Sequence, residues 1–396
     1  MSGVDERIEE YRSRLAPDDR REFDQRLETT FDDLEREEIY DELDSELGQS
    51  ESHLELIIAT ASAFHQNPIA DGYSSGYRFA FTEPLEEQNS DAVGEEEVKN
   101  GDVLLAKEED EDVYLCVIEC KAGSTAGRDW VQELEEIEEV INTDGYREKL
   151  KEQLGVEGKE IRHEQYVLLG RITQIHSMNY DQIDDDVDIP PNYAFWGYDL
   201  GDQQMVNIHG EVRDHELAGV INDSIDAGKI ENPINFTYGD HPITKLQVLV
   251  EEIVAEKSQD EDEHPFEFDR SEFYEKFDEE LQVGFTGEIR EQLVEEEVNS
   301  LLEAGVEIDL FTTSSDRLKT SRDYRILFKG KRIKAAKRAV ETKFLEHRSE
   351  VKYKERAFKD VKEDFTPEQT RLDEQDWGDD DEEDDEEDGD EGAENG

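Results

Sequence analysis

Asp102, Glu119 and Lys121 have the side-chain types and the spacing to act on a phosphate ester. They lie in the stretch 100–123, NGDVLLAKEEDEDVYLCVIECKAG, where two β-rich runs, 103–106 and 113–120, flank an acidic turn at 108–112. Asp102 opens the first run, and Glu119 and Lys121 close the second. Side chains alternate across a strand, so Glu119 and Lys121 share one face while Cys116, Ile118 and Cys120 share the other. Two carboxylates and an ammonium therefore converge on neighbouring strand ends. Oxygen ligands of this kind suit Mg²⁺, a hard ion that keeps several waters, one of which can serve as nucleophile. A lysine beside such a site can orient or deprotonate that water, or stabilise charge growing on phosphoryl oxygens. The alternative reading is a plain ion pair at a strand end.

Spacing alone carries little weight. Glu97-Val98-Lys99, Glu157-Gly158-Lys159, Glu341-Thr342-Lys343 and Glu350-Val351-Lys352 repeat the Glu-x-Lys pattern. What separates Glu119 and Lys121 is that they end the most apolar strand of the chain, YLCVIECK, where charges need partners or a task.

The elements that must position this set follow from periodicity. A helix over 51–66 places Leu54, Ile57, Ile58 and Ala61 on one face, with Ser50 or Ser52 as its cap and Pro68 beyond its end. Glu55 sits beside that face and Glu51 one turn earlier. A strand at 77–82 and a charged loop at 86–100 lead into the paired runs. After a small, flexible segment at 122–127, a helix over 128–142 carries Trp130, Leu134, Ile137 and Ile141, with Gln132 on an adjoining face. Arg128 and Gln132 stand where a phosphate or base edge would be met, although ordinary surface roles suit them equally. A short helix at 146–154 and strands at 165–172 and 193–198 complete an α/β core with a mixed sheet.

This succession resembles the PD-(D/E)xK nuclease superfamily, the restriction-endonuclease-like fold, over residues 51–200: a helix with Glu, a strand opening on Asp102, Glu119-Cys120-Lys121 ending the next strand 17 positions later, then a helix with Gln132. The resemblance implies that Asp102 and Glu119 bind Mg²⁺ (or Mn²⁺ in its place), that Lys121 assists the attacking water, and that Glu55 completes the metal site. Gly101 stands where the name-giving Pro would be.

The composition is extreme, with 109 Asp+Glu against 43 Lys+Arg, a net charge of -66 and a mean hydropathy of -0.89. Such acidity throughout resembles the proteins of salt-in halophilic archaea. At molar salt the Debye length is about 3 Å, so the net charge does not exclude a polyanionic partner. No apolar run is long enough to span a membrane, and residues 1–10 lack the apolar core of a signal peptide, which predicts a cytoplasmic protein. Cys116 and Cys120, about 13 Å apart along one strand, are too distant to bridge and read as buried thiols.

Residues 1–50 read as acidic helices that pack or dimerise. After the nuclease-like domain at 51–215, a connecting helix and linker (216–242), read as an amphipathic helix over 211–229 leading into a turn-rich stretch at 231–241, precede a second domain at 243–330. There, three helices (243–253, 271–277 and 288–304, the last closed by Gly305) and strands at 306–312 and 324–328 resemble a winged helix. Its third helix carries Glu288, Glu291, Glu295, Glu296 and Glu297, so a protein-interaction or homodimer module is an equal reading. From Arg317 to Lys359 lie 16 of the 43 basic residues. Arg317, Lys319, Arg322, Arg325, Lys329, Lys331, Arg332, Lys334, Lys337 and Arg338 lead this run, and a basic helical segment over 331–365 is expected to track a phosphate backbone. The competing reading is neutralisation of acidic segments in cis. Residues 366–396 read as a disordered acidic tail.

No zinc spacing, nucleophile elbow or phosphate-binding loop occurs, so no nucleotide cofactor is expected. The sequence thus predicts a Mg²⁺-dependent endonuclease with DNA as substrate, in restriction, other defence or repair. The alternatives are a non-catalytic DNA-binding or scaffold protein on a degenerate nuclease core, and an interaction protein whose basic segment binds acidic protein surface.

Overall fold

The computed structural model describes residues 3–33, 36–82, 101–122, 129–173, 189–230, 233–258, 266–281, 287–313, 318, 322–328, 333–362 and 364–365. Its contacts divide the chain into two compact units, Asp44–Phe344 and the pairing of Met1–Leu43 with Leu345–Gly396.

In the larger unit, the strands are β1 (Arg78–Thr82), β2 (Val103–Glu109), β3 (Asp112–Lys121), β4 (Glu160–Arg171), β5 (Tyr193–Asp199), β6 (Gln204–Gly210) and β7 (Ile225–Asp226), hydrogen-bonded in that order as one sheet. The β3–β4 and β4–β5 pairs are parallel and the others antiparallel, so the sheet is mixed. Parallel neighbours need a crossover, which α4 (Asp129–Ile141) and α5 (Asp144–Leu154) supply between β3 and β4.

Both faces are covered, which is why the central strands read as continuous apolar runs. On one face Val113, Leu115 and Val117 of β3 and Tyr166 and Leu168 of β4 pack with Leu134, Ile137 and Ile141 of α4. On the other, Cys116, Ile118 and Cys120 meet Val167, Leu169 and Trp196 under Leu56 and Ile57 of α3 (Arg36–Ala63) and Phe64 just past its end. Both cysteines are buried free thiols.

Several expected boundaries shift. The third N-terminal apolar stripe and the helix expected at 51–66 are one helix, α3, which runs through Gly48, so Ser50 and Ser52 are helical rather than caps. The helix expected over 211–229 is confined to α6 (His215–Asn222), where Asp214 Oδ1 accepts from the backbone N–H groups of Glu216 and Leu217. Ser224, at φ 72°, then breaks it and β7 follows.

The rest of the larger unit runs α7 (Pro242–Lys257), β8 (Glu267–Phe268), α8 (Arg270–Glu280), α9 (Gly287–Glu307), β9 (Phe311–Thr312) and β10 (Tyr324–Ile326), continuing into α10 (Ile333–Lys362). The three short strands form a second antiparallel sheet, ordered β8-β10-β9. Phe268 stacks on Tyr324 at 5.4 Å and meets Phe311 edge-on at 5.2 Å. Gly305 does not end α9. It lies where a Cβ would come within 2.3 Å of the Phe311 ring, so its role is close approach.

In the smaller unit, α1 (Gly3–Arg14) and α2 (Pro17–Asp33) enclose Leu15 and Phe23 with Val361 and Phe365 of the C-terminal segment. Tyr11 Oη donates to the carbonyl of Lys362 at 2.7 Å, and Lys354 pairs with Asp5 and Arg26 with Asp364. Among the described residues no helix is long and apolar enough to cross a membrane. The tail at 366–396 lies outside the described residues.

Candidate active site

The hairpin register fixes the first two site residues. Val103 pairs with Ile118; one residue earlier, Asp102 N–H donates to the Ile118 carbonyl at 2.9 Å and Asp102 Oδ2 accepts from Cys120 N–H, so Asp102 is fastened to the β3 backbone on either side of Glu119. The turn into β2 depends on Gly101 at φ 76°, where a Cβ would also lie 2.7 Å from Val117 Cγ1. Proline is locked near φ −65°, so its absence before Asp102 is a backbone requirement of this chain.

Asp102 is held by two donors on one oxygen. Its Oδ2 accepts from Cys120 N–H at 2.6 Å and lies 3.1 Å from Nε2 of His53 on α3. Lys121 Nζ hydrogen-bonds Glu119 Oε1 at 2.8 Å and also lies 2.8 Å from Oε2 of Glu133 on α4, the second at an angle that falls short of a hydrogen bond. The side chains of Asp102, Glu119 and Lys121 retain 16, 18 and 27% exposure, so the set is recessed but reachable. Asp102 Oδ1 and Glu119 Oε2 accept no hydrogen bond from the described residues.

The electrostatics follow from this crowding. Burial, then the neighbouring Asp102 charge, push the Glu119 carboxyl up to about 7 against the pull of Lys121. Burial opposes charge on His53, but the bond to Asp102 and the fields of Asp102, Glu119 and Asp240 hold it up to about 9. Burial also opposes charge on Lys121, yet Glu119 and Glu133 raise it above the usual lysine range. Lys121 is therefore an ammonium at neutral pH. It can neutralise an anion but cannot accept a proton.

The structure brings Asp102, Glu119 and Lys121 together. Glu55 instead turns to Arg171 at the end of β4, whose Nη2 lies 3.2 Å from Glu55 Oε2 and donates to Ser52 Oγ at 2.9 Å. Gln132 is exposed and donates to Glu136 Oε1 at 3.0 Å. Arg128, Arg317, Lys319, Lys329, Lys331 and Arg332 lie outside the described residues. Arg322 pairs in cis with Asp269 and Glu272, and Arg325 is half-buried. Lys334, Lys337 and Arg338 are exposed on the first turns of α10. Neither His53 nor Glu133 stood out in the sequence. The apolar stripe of α4 was a usable signal for Glu133, which lies one turn before Ile137 on the buried side of the helix. His53 carries no comparable mark.

Among the described residues, no three His, Cys, Asp or Glu side chains group as a metal cage. Compared with family models, curated proteins and solved structures, the chain matches none.

Proposed function

We propose that this chain is a divalent-metal-dependent phosphodiesterase of the PD-(D/E)xK kind that cleaves DNA. The observation that carries the reading is that Asp102 is bonded to the β3 backbone on either side of Glu119, at Ile118 and Cys120, with Lys121 bonded to Glu119 at the end of the same strand.

The donor set fits a hard divalent ion. Two neighbouring carboxylates each keep an oxygen free of hydrogen bonds from the described residues, and the Glu119 carboxyl is raised first by burial and then by the Asp102 charge beside it. Mg²⁺ binds through one or two protein carboxylates and retains waters, so a three-ligand cage is not required. When bound, such an ion would neutralise phosphoryl charge and supply a polarised water. Asp102, fixed by Cys120 N–H and His53 through Oδ2, presents Oδ1 in a set orientation. Glu119 holds Lys121, and Lys121, as a permanent ammonium, stabilises the growing charge on the phosphoryl oxygens.

Further support comes from the C-terminal half of the larger unit. The order helix, strand, helix, helix and two-stranded ribbon, with the first strand paired to the last, resembles a winged helix and supports the reading of a DNA-binding module. Lys334, Lys337 and Arg338 offer exposed cations just beyond it. Restriction, other defence and repair all suit such an enzyme.

The test is cleavage of supercoiled plasmid, single-stranded DNA and RNA in molar KCl with Mg²⁺, Mn²⁺ or EDTA. Metal-dependent cleavage of DNA is expected. Absence of cleavage over the whole panel would favour a binding protein on an inactive nuclease core.

A further inference from the structure

Within the larger unit, a cavity of about 670 Å³ opens beside the ends of β4 and β5. Ligand sites occupy about 300–1,000 Å³, and open α/β sheets bind ligands outside the carboxyl ends of their strands. Arg171 follows Gly170, the register partner of Lys121, so the cavity and the Asp102–Glu119–Lys121 set share one end of the sheet. Arg171 alternates with Val167 and Leu169 on the α3 face, whereas Glu119 and Lys121 alternate with Val117 on the α4 face.

Two polar side chains in the wall have no partner. Tyr198 is 5% exposed and Gln247 8% exposed, yet neither the phenol nor the amide makes a hydrogen bond to any described residue. Neither polar group is shut off from the cavity, so the phenol and the amide are the hydrogen-bonding edge that its wall offers to a ligand. A carboxamide presents a donor and an acceptor together, the pattern that reads a nucleobase edge. The charges define what goes deep. Glu51, Glu55 and Glu251 on the wall disfavour a phosphate inside, and Arg171 is already paired with Glu55, so exposed Lys337 is the cation offered to a phosphate outside.

We propose that this cavity receives one unstacked nucleoside of the strand being cut, its base edge against Gln247 and Tyr198 and a flanking phosphate near Lys337. As to the strand, the proposal rests on the nuclease reading above. It assigns the enzyme a substrate with an accessible base, in a single strand or at a distorted site, in preference to a regular duplex.

The experiment uses the full chain in molar KCl. Thermal melting is followed with each of the ribo- and deoxynucleoside 5′-monophosphates, and fluorescence with single-stranded oligonucleotides carrying 2-aminopurine at successive positions. We expect a rise in melting temperature with at least one nucleotide and a fluorescence increase at one position. Gln247→Leu should weaken both roughly tenfold, and Tyr198→Phe should weaken them less, while each variant alone melts as the wild type does. Nucleotide-dependent melting without DNA cleavage would keep the nucleoside site and remove the nuclease reading. Cleavage with no response in either binding assay would overturn the proposal and leave the nuclease standing. Equal responses in wild type, Gln247→Leu and Tyr198→Phe would also overturn it, because the nucleoside would then bind elsewhere.

Discussion

Replacing Glu119 with Gln should stabilise the metal-free protein above neutral pH while abolishing its chemistry. The folded state lifts this carboxyl from an ordinary 4.5 to about 7. Its contribution is therefore complete below the unfolded value and is lost as pH rises through about 7. At about 1.36 kcal/mol per pH unit, ionising Glu119 in place costs roughly 3 kcal/mol by pH 8. That rise is already net of the attraction of Lys121, so the glutamine removes the whole cost and Lys121 keeps Glu133 as partner. A gain of up to roughly 3 kcal/mol is expected, at about 2–4 °C per kcal/mol in melting temperature. The assay is thermal and urea unfolding of wild type and Glu119→Gln in molar KCl with EDTA, near pH 5 and near pH 8. The variant should match the wild type at the lower pH and exceed it at the higher. Equal or lower stability at both would mean that Glu119 is not electrostatically strained, and the charge account of the site would fail. A gain of stability on deleting a site residue is the usual sign of a group held against its own preference.

Further expectations follow from the same structure. Gly101→Ala should cost roughly 1–2 kcal/mol in unfolding free energy through its left-handed φ of 76°, and should lower cleavage as Asp102 shifts. Lys107, 7% exposed and paired with Glu109, Asp214 and Glu216, is a buried cation at the far end of β2. Lys107→Met should cost about 3 kcal/mol in urea unfolding by leaving Asp214 uncompensated, without changing metal dependence. With a net charge of -66, the chain should lose its fold, followed by circular dichroism, as salt falls below molar levels. Unchanged stability in dilute buffer would count against adaptation to salt.

Period-two alternation made the strand-end set legible. Cys116, Ile118 and Cys120 face one layer of the core and Glu119 and Lys121 the other, as the sequence reading of YLCVIECK required. What escaped depended on tertiary contact. Gln132 and Glu133 differ by one helical step, and only packing of α4 on the sheet decides which one meets Lys121. His53 reaches Asp102 across the end of β2 from a helix whose sequence marks only its apolar face. Glycine often closes helices, which is the reading that Gly305 invites. In the structure α3 passes through Gly48 without interruption, and Gly305 makes room for Phe311. Sheet β8-β10-β9 has strands of two or three residues, too short for alternation to declare them.

The central claim is that Asp102, Glu119 and Lys121 form one phosphodiester-cleaving centre. Its most direct test is single-turnover cleavage of DNA in molar KCl with Mg²⁺ by wild type, Asp102→Asn and Lys121→Ala, each first shown to be folded. The expected result is cleavage by the wild type and a loss of at least about a hundredfold in both variants, the scale on which one electrostatic stabiliser of a transition state acts. Equal rates in all three would place the activity elsewhere and contradict the account.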